Sequence, residues 1–289
     1  MDSELVRRIG FAVVAIPLAL LIVWYGGLPL AALLAVAGAL GTGELFGLSE
    51  RGGVRPARTL GMATAAAIPL VTYATLARPS FGAAAGEAWP YAAAIWLVLL
   101  LSWALAARPP AARPLESAAV TLLGVAYAGG LPAFLLLIRH GELPLRSWAG
   151  AWLVFFPLIV TWVCDTAAMF GGRTFGGPKL APTVSPGKTR SGTAIGVIGA
   201  LAVAPLFTAW IFPRVGIEMR LWQALGIAGV LSVVGQVGDL AESVFKRQAG
   251  VKDSSHLIPG HGGVLDRLDS LYFVVPVTAV MYRLFGVIP

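Results

Sequence analysis

Charge is scarce in this sequence. Asp, Glu, Lys and Arg make up 12% of its 289 residues, while 57% are hydrophobic. A soluble domain carries about 25% charged residues, and half that amount does not coat a water-soluble globule of this size. Low hydrophobicity is also missing, which excludes a disordered chain. Cysteine is nearly absent: Cys164 stands alone, so there is no intrachain disulfide and no disulfide scaffold. Set in an apolar run, it behaves as a small hydrophobe. The 35 glycines and 20 prolines follow no collagen period. What remains is an all-α, polytopic integral membrane protein.

Apolar runs near the length of about 20 residues that crosses a hydrocarbon core fall at 9–25, 28–48, 60–77, 90–107, 116–138, 149–171, 191–212, 221–244 and 268–287. They predict about nine transmembrane helices. The first run is longer than a signal-peptide h-region of about 7–15 residues, so a retained helix is expected. The net charge of +7 would suit nucleic acid in a soluble protein. Here the cations sit in short loops between apolar runs and act as orientation signals, and no nucleic-acid partner is expected. With the N-terminus in the cytoplasm, fifteen of the 21 Lys and Arg fall in inside loops and five outside, with Arg283 in the last run. That bias predicts a cytoplasmic N-terminus. It also places the polar loops 172–190 and 245–267 on the cytoplasmic face of the cell membrane. Residues 1–148 carry few polar groups and read as scaffold helices; residues 149–289 read as the catalytic region of the same membrane unit. Gly192 and Gly196 form a small-xxx-small pair suited to close helix packing.

Carboxylates in membrane helices are costly and point to function. Glu44, Asp165, Asp239 and Glu242 stand out, each near the predicted cytoplasmic end of its run. Asp239 and Glu242 are three residues apart and share a helix face; Asp266 and Asp269 repeat that spacing. Such pairs offer hard oxygen donors for Mg²⁺, with positions left for water and phosphate. Asp266 and Asp269 equally suit capping of a helix N-terminus, and Glu44 suits a structural pairing with an Arg or with backbone donors. The segment Gly171–Lys179, continued by Ser185-Pro186-Gly187-Lys188-Thr189, is glycine-rich and basic. Backbone N–H groups, Lys and hydroxyls are what a polyphosphate needs, although a flexible connector has the same composition. It is not a P-loop, since Pro182 stands where the first glycine is required and no strand is predicted before it. From Ser243 to Asp269, four cations, two histidines and three acids crowd into 27 residues between two apolar runs.

That last segment resembles the signature of the phosphatidate cytidylyltransferases. It runs Ser243-Val244-Phe245-Lys246-Arg247, then Lys252-Asp253, then His261-Gly262-Gly263-Val264-Leu265-Asp266-Arg267-Leu268-Asp269. The resemblance extends to Gly238-Asp239-Leu240-Ala241-Glu242, Asp165-Thr166-Ala167-Ala168 and Ser185–Thr189, and covers about residues 160–270. One departure stands out: Ser191-Gly192 occupies the place where the family usually has Glu-Gly. The resemblance implies transfer of CMP from CTP to phosphatidate, giving CDP-diacylglycerol and pyrophosphate. It implies Mg²⁺, with a monovalent cation such as K⁺ also involved, and a homodimer. It implies Asp165, Asp239, Asp266 and Asp269 as metal ligands and Ser185, Lys188 and Thr189 on the CTP phosphates. Lys246, Arg247, Lys252 and Arg267 would divide between triphosphate and lipid phosphate. His261 would act on a phosphate oxygen or orient the Gly262-Gly263 turn, where glycine lets backbone approach a phosphate. Related CTP-dependent lipid enzymes, such as polyprenol kinases or archaeal-lipid cytidylyltransferases, diverge in the Ser243–Asp269 segment. A secondary transporter would carry its acids at mid-bilayer.

Overall fold

The computed structural model describes residues 3–141, 143–258, 260 and 262–288, with side chains at residue 13 and from residue 15 onward. Among the described residues, helices joined by loops make up the fold, with one small hairpin of strands. Its elements are α1 (Ser3–Tyr25), α2 (Gly27–Arg51), α3 (Arg58–Ala77), α4 (Pro79–Ala107), α5 (Pro114–Gly124), α6 (Leu131–His140), α7 (Trp148–Phe175), β1 (Lys179–Ala181), β2 (Ser185–Thr189), α8 (Arg190–Leu206), α9 (Leu221–Gln248), α10 (Val264–Leu268) and α11 (Leu271–Leu284). Two π-helical stretches, Val125–Gly130 and Phe207–Ile211, continue the helices beside them. The first runs into Pro132 and the second follows Pro205. Proline removes a backbone donor and crowds the preceding turn, which the widened turn before Pro132 relieves.

Among the described residues, seven helical segments are long and apolar enough to cross a membrane: Gly27–Arg51, Arg58–Ala77, Pro79–Ala107, Pro110–His140, Trp148–Phe175, Arg190–Ile211 and Leu221–Gln248. These match the second to eighth of the nine apolar runs. Of α1, Ala15–Tyr25 is apolar but short, and most side chains before it lie outside the described residues. The ninth run is not among the seven. It is broken at Asp269-Ser270, where Asp269 Oδ1 accepts the Ser270 N–H at 2.6 Å, a local bond that competes with the helical pattern. The helix beyond this break, α11, has 14 residues, well below the ~20 that cross a bilayer core.

The chain divides into two compact units that interleave along the sequence. The first comprises Met1–Ile16, Gly27–Leu136 and Gln248–Arg267; the second comprises Pro17–Gly26, Leu137–Arg247 and Leu268–Pro289. In the first unit, α2, α3 and the π stretch pack on small residues, with Phe46 fully buried against Gly61 and Gly124. In the second unit, α7 and α8 pack through the predicted glycine pair. A Cβ at Gly192 would lie 2.6 Å from the Ala168 carbonyl oxygen, and one at Gly196 would lie 3.0 Å from that of Cys164. This close approach brings the hairpin, which joins α7 to α8, onto a rigid base. Fully buried Arg139 ties down the end of α1, donating from Nε to the Val23 carbonyl at 2.8 Å and from Nη2 to the Trp24 carbonyl.

Candidate active site

The glycine-rich loop folds as an antiparallel hairpin. Lys179 pairs with Thr189 and Ala181 with Ser185, with an irregularity between them. Pro182 takes the second position of the turn, which closes with Val184 N–H on the Ala181 carbonyl at 3.2 Å. Thr189 is buried, and its Oγ1 accepts the Gly192 N–H at 3.1 Å, capping α8. Ser191, at the site of the family's usual acid, lies 3.1 Å from Thr189 Oγ1 and donates to the Gly176 carbonyl. That hydroxyl therefore closes the hairpin segment back onto the end of α7. Ser185 opens β2, half-buried.

The hairpin delivers Lys188 to α9. Its Nζ lies 2.6 Å from Asp239 Oδ2, and Ser243 Oγ, one turn further on, reaches Asp239 Oδ1 at 3.4 Å. At the hairpin's other end, Arg247 Nε donates to the Val184 carbonyl at 3.1 Å. Asp165 of α7, Asp239 and Asp269 feel one another's charge and that of Lys188. Gly238 lets α9 approach the chain at Asp269, since a Cβ there would lie 2.8 Å from the Asp269 carbonyl oxygen. Glu242, which shares a face with Asp239, takes a different partner: it is fully buried and Lys246 Nζ sits 3.0 Å from its Oε1. The Lys246 charge also reaches Asp269. The second unit thus gathers Asp165, Asp239 and Asp269 with two lysines. Carboxylates that share one electrostatic field disfavour each other's charge, and cations among them relieve it.

In the first unit, the described residues between α9 and α10 make a loop with bonds of its own. Ile258 N–H donates to the Gly262 carbonyl at 2.8 Å. Asp266 Oδ2 accepts the Gly263 N–H at 2.8 Å, the Ser254 N–H at 2.8 Å and the Ser254 hydroxyl at 2.6 Å. Gly262 holds φ +79°, a left-handed conformation that suits glycine. Lys252 and Arg267 are exposed. Glu44 of α2 reaches the same loop. His261 lies outside the described residues.

The predicted acids therefore separate. Asp165, Asp239 and Asp269 form one cluster, while Asp266, three residues before Asp269, binds its own loop. Among the described residues, no three His, Cys, Asp or Glu side chains converge closely enough to hold a metal ion as they stand. The oxygens of Asp165, Asp239 and Asp269 are hard donors of the kind Mg²⁺ takes, and a Mg²⁺ site uses few protein carboxylates, with water and phosphate in its remaining positions. The hairpin was not foreseen from sequence, because Pro182, Pro186 and Gly187 interrupt any alternation of apolar and polar residues.

Long apolar helices with a carboxylate–lysine cluster and a basic hairpin define a helical membrane protein suited to phosphate-bearing groups. The chain belongs to the cytidylyltransferase family, whose profile matches residues 6–285. It is similar to the phosphatidate cytidylyltransferase of Brucella suis, 46% identical over 165 residues, which is 57% of this chain and 56% of that protein. That of Staphylococcus saprophyticus is 43% identical over 164 residues, 57% of this chain and 58% of the relative. That of Haemophilus influenzae is 44% identical over 133 residues, 46% of each. The chain thus matches these curated relatives over about half of their length.

Proposed function

We propose that this protein is a CTP:phosphatidate cytidylyltransferase. A phosphate oxygen of phosphatidate attacks the α-phosphorus of CTP, the bond to the β-phosphate oxygen breaks, and pyrophosphate leaves with CDP-diacylglycerol as the lipid product. The observation that carries this reading is the Lys188–Asp239 contact, which joins the basic hairpin to the Asp165, Asp239 and Asp269 cluster. Both reactants are anions, so their repulsion has to be offset and their phosphates aligned; positioning and electrostatics supply most of the catalysis in such transfers. Lys188 is the residue for the CTP phosphates, and its present partner Asp239 holds the ammonium in place until they arrive. Lys246, kept extended by Glu242, and Arg247, anchored to the hairpin, bind the remaining phosphate oxygens. Held by Asp165, Asp239 and Asp269, Mg²⁺ would neutralise phosphate charge and polarise a phosphoryl oxygen. Asp266 organises the loop that carries Lys252 and Arg267, two further cations suited to phosphate.

The site is proposed to face the cytoplasm, where CTP is available, and the excess of basic residues in loops 172–190 and 245–267 supports that sidedness. The family resemblance also suggests a homodimer. Purified protein in lipid nanodiscs, given phosphatidate and Mg²⁺ with CTP labelled at either the α- or the γ-phosphorus, tests the reaction. Label from the α position should enter the lipid and label from the γ position should leave as pyrophosphate. Lipid labelled from the γ position would make the protein a kinase instead.

A further inference from the structure

Glu44 lies near the end of α2, about two hundred residues before the loop it touches. Its Oε1 accepts the Ser255 hydroxyl at 2.7 Å and the Val264 N–H at 3.0 Å. Its Oε2 accepts the Leu265 N–H at 2.8 Å and lies 3.0 Å from the Ser254 hydroxyl, whose single proton is shared with Asp266. A carboxylate has about four lone-pair sites; here three donors of its own and the shared Ser254 hydroxyl meet them. The donors come from both ends of the loop: Ser254 and Ser255 just after Lys252-Asp253, and Val264 and Leu265 just before Asp266-Arg267. One side chain therefore pins together the two stretches that carry the loop's cations. Gly263 completes the arrangement. A Cβ there would collide with both Glu44 oxygens and with Ser254 Oγ, so any larger residue would push the carboxylate out.

We infer that Glu44 is a positioning residue for the cytidylyl transfer: a clamp on α2 that holds the 252–267 loop in its phosphate-binding shape without touching substrate. The inference rests on the function proposed above, and it reassigns an acid of the N-terminal helices from scaffold to support of the reaction. Charge-assisted bonds to backbone and hydroxyl donors are stronger than neutral ones. A carboxylate at this place accepts from Ser255, Val264 and Leu265 and shares the Ser254 proton with Asp266, whereas a glutamine offers one oxygen and turns an N–H₂ toward a backbone N–H that is itself a donor.

The test compares Glu44→Gln with Ser254→Ala/Ser255→Ala and with the triple variant, in nanodiscs. Hydrogen exchange read in peptides covering residues 252–268, without substrate, reports the clamp independently of turnover. Both variants should exchange faster there while the rest of the protein stays unchanged. In the transfer assay kcat/KM should fall about tenfold or more, corresponding to bonds lost at one site, with the melting temperature held. The triple variant should be little worse than Glu44→Gln alone, since both changes cut the same contacts. Unchanged exchange in this segment, or fully additive losses, would overturn the clamp. So would a lower melting temperature with both KM values and kcat unmoved, which is what a purely structural Glu44 gives. If Glu44→Gln does not fold, the double serine variant carries the same readouts. If the wild type shows no transfer, the proposed function fails, and the exchange result still decides whether Glu44 holds the loop.

Discussion

Two groups of acids in this molecule are built from the same residue types and have opposite surroundings. In the 252–267 loop, Glu44 and Asp266 are met by N–H and O–H donors. Around the hairpin, Asp165, Asp239 and Asp269 meet one another's charge, with lysines set among them. The first arrangement lowers the energy of a folded loop. In the second, like charges stand within one another's reach and the lysines among them offset the repulsion. Asp266 and Asp269 show the contrast most sharply, because three residues of chain separate an acid that caps a loop from an acid that faces other acids. An acid met by N–H and O–H donors shapes the loop around it, whereas the acids set among acids are the ones proposed to meet a cation.

Substitutions can break that contrast, beginning with the largest expected effect. Asp269→Asn is near-isosteric but is a far weaker donor to a hard cation. It should lower turnover by about a thousandfold or more, equivalent to about 4 kcal/mol of barrier, with normal membrane insertion. Activity within tenfold of wild type at limiting Mg²⁺ would remove Asp269 from the cluster's work. Lys246→Met strips the buried Glu242 of its ammonium. Breaking a buried pair from one side costs about 3–5 kcal/mol, so thermal unfolding in detergent should show a marked loss. Adding Glu242→Gln should restore most of that stability but not the activity.

Lys188→Ala removes the cation assigned to CTP. A lost charge-assisted contact costs about 1.5–3 kcal/mol, so the KM for CTP should rise roughly 10- to 150-fold while that for phosphatidate moves less. The opposite split would give the hairpin to the lipid. The smallest effect belongs to Thr189→Val. Its hydroxyl caps α8, so the variant should lose about 0.5–2 kcal/mol of stability and disturb CTP use less than Lys188→Ala does. An equal loss of CTP affinity would return Thr189 to the phosphate site. Sidedness is checked with His256→Cys and Glu218→Cys in a Cys164→Ser background. In right-side-out vesicles an impermeant maleimide should label position 218 and spare 256.

The long helices were legible in the sequence because lipid leaves the backbone few options, and an apolar run near 20 residues is a direct signal. The ninth run, 268–287, did not show how short its helix is, because hydropathy registers neither the turn at Asp269-Ser270 nor the end of α11 at Leu284. Within the site, the i,i+3 pairs were visible as pairs, but their partners were not. Glu242 turns to Lys246, one turn along its own helix, and nothing in the spacing of Asp239 and Glu242 says so. Thr189 read as a phosphate hydroxyl because Lys-Thr is a polyphosphate motif; the N-cap it makes depends on a helix beginning at Arg190. Glu44 stood out as an acid in an apolar run, yet no motif connects it to Ser254 or Val264, since that contact exists only after the chain has folded.

The contrast between the two groups of acids is tested most directly by the turnover of Asp239→Asn across a Mg²⁺ titration, with hydrogen exchange of residues 252–268 recorded on the same protein. Turnover should be lost at every Mg²⁺ concentration while the loop exchanges as in the wild type. Transfer activity within tenfold of wild type, or a loop that loosens when Asp239 changes, would contradict the account.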